Sequence, residues 1–148
     1  MARKEFLKQI ISEDVYLPDS IDMEKFTEKL LRTYADFLEQ HYSKIYFLLK
    51  AYRVKNVNEE QVKLVAAFLA YHALDVKTCT EMMMRYLAKA VTEEKEETGI
   101  MSQLHRLGDF RVIAILRTPP GIGETRARYR FMLTETFLKH IGDFWKRA

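Results

Sequence analysis

The sequence predicts a mainly α-helical chain with one β-hairpin, all-helical in its N-terminal part and hairpin-bearing in its C-terminal part. Three observations carry this. Apolar residues recur at three- and four-residue steps through most of the first hundred residues and again after Thr134, the period of an amphipathic helix. Phe110–Arg117, FRVIAILR, is an eight-residue run rich in β-branched side chains. From Thr125, Arg126, Arg128 and Arg130 alternate with Ala127, Tyr129, Phe131 and Leu133, the period of two that a strand imposes. Between these runs, Thr118–Glu124 (TPPGIGE) is a turn by composition.

Taken in order, Arg3–Ile11 forms a short helix with Phe6, Leu7, Ile10 and Ile11 on one side, and the Ser12–Ser20 stretch with Pro18 ends it. Ile21–Tyr52 reads as one long amphipathic helix through Met23, Phe26, Leu30, Tyr34, Phe37, His41, Ile45, Leu48 and Tyr52. At 1.5 Å per residue it would be about 45 Å long, and it either crosses the core or forms an antiparallel or dimeric seam. Asn58 with Gln61 makes a capping box, flanked by a Val57–Val62 staple, and starts a helix that runs to about Leu74. Thr78 with Glu81 marks a further helix carrying Met82, Met83, Tyr86, Leu87 and Val91. After the charged junction Glu93–Glu97, Ile100, Leu104 and Leu107 give Gly99–Leu107 one apolar stripe, and Gly108 suits the left-handed residue that closes a helix. Thr134 caps a last helix whose apolar face is Phe137, Leu138, Ile141, Phe144 and Trp145, with a Leu133–Leu138 staple.

Composition bounds the function. Of the 148 residues, 48% are hydrophobic, which excludes a disordered chain. No run approaches the ~18 consecutive apolar residues of a membrane span, and the N-terminal segment is charged and amphipathic, so a soluble cytoplasmic protein without a membrane partner is expected. Cys79 is the single cysteine, which excludes an internal disulfide and a multi-cysteine zinc motif. The net charge of +3 is unevenly spread: residues 1–100 carry 15 basic and 17 acidic side chains, residues 101–148 carry 9 and 4. The positive half contains the hairpin, a modest electrostatic footprint for a polyanion.

A short helix with Ser102, Gln103 and Arg106 on its outer face, run directly into a hairpin reading Gly121, Gly123, Thr125, Arg126, resembles the winged helix-turn-helix. The nearest form is the C-terminal winged domain of archaeal origin-recognition initiators, over about Asn58–Leu133; nothing in the chain resembles their ATPase module. The resemblance implies a helix in the major groove and a hairpin wing on the backbone or minor groove. On it, Ser102, Gln103 and Arg106 face the groove, and Arg126, Arg128 and Arg130 anchor the wing. Gln and Arg can read base edges bidentately, and arginine forks suit phosphates. Two acidic features run against this: Glu94, Glu96 and Glu97 before the helix, and Glu124 in the wing.

Each group also has a plainer reading. The arginine row equally describes a solvated strand edge protected from mispairing. Thr118–Thr125 imitates a phosphate-binding loop, but Thr118 stands where the first glycine belongs and Glu124 where the lysine belongs. His41, His72, His105 and His140 are scattered and none has Glu three residues before it, so no metal site is expected, and His41 reads as a core histidine. Of Met82, Met83 and Met84, helical spacing turns at least one outward and the others into the core. No nucleophile–base arrangement is recognisable, so no enzyme and no cofactor are expected. The expected organisation is a helical support or oligomerisation arm, residues 1–57, and a winged-helix-like domain, residues 58–148. The expected function is double-stranded DNA binding by a homo-oligomer. The alternative is a helical interaction module in which the hairpin, Trp145 and the methionines face a protein partner without nucleic acid.

Overall fold

The computed structural model describes residues 2–91, 100–125 and 127–147. Among them, the elements follow as α1 (Ala2–Asp14), α2 (Met23–Gln40), α3 (Tyr42–Ala51), α4 (Glu59–Ala73), α5 (Glu81–Val91), α6 (Ile100–Asp109), β1 (Ile113–Thr118), β2 (Arg128–Leu133) and α7 (Glu135–Arg147). The chain is mainly helical with one antiparallel two-stranded hairpin, β1 against β2. No described helix is long and apolar enough to cross a membrane.

Helix α4 is the centre of the core. Its sequence is apolar on nearly every side, and from Gln61 to Tyr71 only Lys63 escapes full burial. It starts as its sequence dictates. The Asn58 side chain accepts from the Gln61 backbone N–H at 2.8 Å, and the Gln61 side chain accepts from the Asn58 N–H at 3.2 Å. Helices α2, α3, α5 and α6 pack around it, and α1 lies across α5 and α2. One cluster of buried side chains runs from Leu7 and Ile11 of α1 through α4 to Phe131, Leu133 and Phe137.

The segment 21–52 is two helices, not the single long one that its periodicity predicts. The break is at His41, whose φ of −125° leaves the helical region; it serves as C-cap of α2 and N-cap of α3. Neither Pro nor Gly marks the place. Periodicity survives the break because both helices turn an apolar face, Leu30 and Tyr34 in α2 and Ile45, Leu48 and Leu49 in α3, toward α4. The His41 ring lies against Phe37, with centroids 5.8 Å apart.

Three helices end in the same hydrogen-bonded turn. The residue in left-handed conformation is Arg53 (φ 67°), Asp75 (φ 64°) or Arg111 (φ 61°). Its N–H donates to the carbonyl of Lys50, His72 or Gly108, and the next N–H donates from Val54, Val76 or Val112 to Leu49, Tyr71 or Leu107. These are Schellman turns, and each following valine is buried beneath its helix end. The closing residue after α6 is therefore Arg111, not Gly108 as expected. Gly108 lies inside α6, where a Cβ would come 3.0 Å from Ile115 Cδ1; glycine there lets β1 sit against the helix.

The cap of α5 also moves. Thr80, not Thr78, accepts from the Met83 N–H, at 3.3 Å. Of the three methionines that follow, Met82 is 42% exposed while Met83 and Met84 are buried, as the spacing predicts. Thr134 caps α7 by accepting from the Phe137 N–H at 3.1 Å, and its hydroxyl donates to the Arg111 carbonyl at 2.7 Å. Tyr52 then meets Phe137 edge-on at 5.0 Å, which ties α7 to the end of α3.

Candidate nucleic-acid interface

The hairpin register places Ile113 opposite Leu133, Ile115 opposite Phe131, Arg117 opposite Tyr129 and Thr118 opposite Arg128. The strand pleat puts Ile113, Ile115, Phe131 and Leu133 on one face. Ile113, Phe131 and Leu133 are buried and Ile115 is half-buried, so the inner half of the hairpin belongs to the core. β1 begins three residues later than expected, because Phe110–Val112 complete the turn after α6. Of the described residues beyond Leu116 and Tyr129, all but the half-buried Ala127 are exposed, out to a turn at Gly121–Glu124. There the Glu124 N–H donates to the Gly121 carbonyl at 3.0 Å, and Gly123 takes the φ of 83° that glycine supplies freely.

The arginine row divides along the strand. Arg130 is turned into the molecule: its Nη2 donates to the Asp14 carbonyl at 2.7 Å and its Nε to Thr78 Oγ1 at 3.0 Å. It thus places a cation at the C-terminal end of α1, where the helix dipole favours one. Beside it, Cys79 and Phe131 exchange two backbone hydrogen bonds, 2.8 and 2.7 Å, and Thr80 donates to the Asp14 carboxylate at 2.6 Å. Burial pushes the Cys79 thiol up to about 12, with Arg130 working in the opposite direction. Arg128, by contrast, is exposed and forms a two-pronged pair with Glu124, at 3.1 and 3.0 Å. Arg126 lies outside the described residues, as does the acidic junction Glu93–Glu97. Arg117, absent from the sequence-derived set, is exposed on the hairpin near its outer end. No alternation marks it: it ends the continuous apolar run Val112–Leu116, and only its pairing with Tyr129 places it on the hairpin's outer part.

On α6, Ser102 is exposed and Arg106 half-buried, over the buried Leu104 and Leu107. The Gln103 side chain faces the start of α4, where its Oε1 accepts from Asn58 Nδ2 at 3.4 Å. His105 and Asp109 complete the exposed side of this helix. The site thus brings together an outward helix face and an outward half-hairpin joined by the Arg111 turn. The side chain of Trp145 falls outside the described set. Among the described residues, no three His, Cys, Asp or Glu side chains gather as a metal-holding group.

Comparisons with protein-family models, with curated proteins and with solved structures returned no match for this chain.

Proposed function

We propose that this chain is a non-enzymatic DNA-binding protein, a small regulator or replication accessory factor, built on a winged-helix-like C-terminal part. The observation that carries the reading is the outer half-hairpin, which leaves the core with Arg117 and Arg128 exposed on it. The order of α4, α5 and α6 followed by this hairpin is the order that the winged-helix resemblance implies. Between residues 101 and 133 there are six arginines against Asp109 and Glu124, a local excess of positive charge suited to phosphates. Within the six residues chosen from sequence, Arg128, Ser102 and Arg106 remain candidates for contact, and Arg130 acts in the fold. Fluorescence-anisotropy titration of short labelled duplex and single-stranded DNA across a salt series tests the reading. Duplex binding that weakens steeply with salt supports it; no binding at low salt refutes it.

A second reading has its own observation. Leu116, Ile122 and Tyr129 are exposed apolar side chains on the same half-hairpin, as a protein-binding module would carry. A stable co-purifying protein together with absence of salt-dependent nucleic-acid binding selects it.

A further inference from the structure

We infer that the outer half of the hairpin, rather than α6, is the element that enters the groove of a nucleic-acid duplex. The inference rests on the DNA-binding reading above and assigns the contact within it.

The register decides which side chains share a face. Arg117 and its partner Tyr129 stand on one face; Leu116 and Arg128 stand on the other. Each face therefore carries one exposed arginine and one exposed apolar side chain, with Tyr129 at 41% and Leu116 at 43% exposure. At the tip Ile122 is fully exposed between Gly121 and Gly123. An element built to lie on a flat partner would be open on one face and supported on the other. This one is open on both, with a cation on each, and fits a slot with two anionic walls. A duplex groove is such a slot. The major groove, about 12 Å wide, admits a two-stranded ribbon and is walled by the two phosphate rows.

Helix α6 offers less. Leu104 and Leu107 are committed to the core, Gln103 is turned to Asn58, and Arg106 is half-buried. Its exposed side presents Ser102, His105 and the carboxylate of Asp109, which repels phosphate. Glu124 also leaves a carboxylate on the hairpin, but one paired with Arg128. That pair is solvent-exposed and contributes little, so giving it up for a phosphate contact costs little, and two arginines, Arg117 and Arg128, outweigh the one acid.

The buried Cys79 makes a clean probe, since a cysteine added at the surface is the reactive thiol. Ile122→Cys and Ser102→Cys variants of the full chain, each labelled with a thiol-reactive aryl azide, are irradiated on a short radiolabelled DNA duplex. In parallel, duplex affinity is measured for the Arg117→Ala/Arg128→Ala and Ser102→Ala/Arg106→Ala pairs, each checked for a native circular dichroism spectrum. Crosslinking to bases from position 122 and not from 102 is expected. The hairpin pair should lose at least ~10-fold in affinity and about 1.8 in the slope of log K against log salt, as for two lost phosphates, and the helix pair less than ~3-fold. Crosslinking from 102 alone, or an affinity loss confined to the helix pair, overturns the inference and leaves the DNA reading standing. No duplex binding by the parent chain at low salt overturns both.

Discussion

Replacing Arg130 and Arg128 in turn separates an arginine anchored in the fold from one exposed on the hairpin. In the Arg130→Met variant the aliphatic stem stays and the guanidinium goes. Two hydrogen bonds from a charged donor are lost, at 2.7 Å to the Asp14 carbonyl and at 3.0 Å to Thr78 Oγ1. Such bonds contribute ~1.5–3 kcal/mol each. Because Arg130 is only partly buried, the lower end of that range applies to each bond, and the expected loss is about 3 kcal/mol. At ~2–4 °C per kcal/mol for a chain of this size, Tm falls by roughly 6–12 °C. Arg128→Met is the control: its pair with Glu124 is exposed on both sides, and such pairs contribute ~0–1 kcal/mol. Urea unfolding followed by far-UV circular dichroism and by the fluorescence of the single tryptophan gives both values. A double-mutant cycle with Thr78→Val isolates the Nε contact. If Arg130→Met costs no more stability than Arg128→Met, Arg130 is an ordinary surface cation and the clamp on α1 contributes nothing.

Three other perturbations follow from the same geometry. Arg53→Gly and Arg111→Gly relieve left-handed backbone at φ 67° and 61°; each should stabilise by ~0.5–1 kcal/mol after the glycine's entropy in the unfolded chain is counted, and thermal unfolding showing a loss would mean the arginine side chains hold those turns. The Cys79 thiol, buried and raised to about 12, should react with Ellman's reagent only as fast as the native fold opens, and prompt stoichiometric labelling in native buffer would contradict its place beside Phe131. Lys4 and Lys8 donate to Glu24 and hold its carboxyl at about 2, below its ordinary 4.5. Its folded value is the lower one, so the stability it confers is present above pH 4.5 and disappears as the pH falls toward 2. Glu24→Gln should flatten the stability–pH curve in that window, less so at high salt, and parallel curves for the two proteins would show that the α1–α2 clamp has no net effect.

Most residues that act on near neighbours were legible in the sequence. Asn58 with Gln61, Thr134 above Phe137, the alternation of β2 and the division of the three methionines all depend on spacings of two to four residues, and local periodicity reports those directly. What escaped depends in part on distance, although the cap of α5, Thr80 and not Thr78, escaped while being local. The break at His41 has no local breaker; α2 and α3 both address α4, and only the position of α4 reveals the change of direction. The helix ends at Arg53, Asp75 and Arg111 were obscure because glycine, the usual occupant of a left-handed position, is absent from all three. A signal was nonetheless present. Val54, Val76 and Val112 each follow a charged residue directly after an apolar helix end, the hydrophobic half of the same turn. For the candidate site, alternation correctly put Arg128 and Arg130 on one side of β2, but it gives a side chain's direction and not its reach. Arg130 reaches across 116 residues of sequence to Asp14, and nothing local to either residue announces that.

The division of β2 explains how one short hairpin can be both firmly held and open to a partner. A two-stranded ribbon is marginal by itself in water. Here the inner half is fixed from three directions: Phe131 and Leu133 in the core, Cys79 bonded to the Phe131 backbone, and Arg130 on the end of α1. The outer half then needs no packing of its own, because its register is already set at Ile115–Phe131 and carried outward through Arg117–Tyr129 and Thr118–Arg128. Exposed side chains at 117, 122, 128 and 129 cost the fold little and are therefore free to be chosen for contact. The boundary falls between Tyr129 and Arg130. An arginine on one side of it is held in the fold and an arginine on the other is exposed to solvent, although the sequence writes both in the same alternating row.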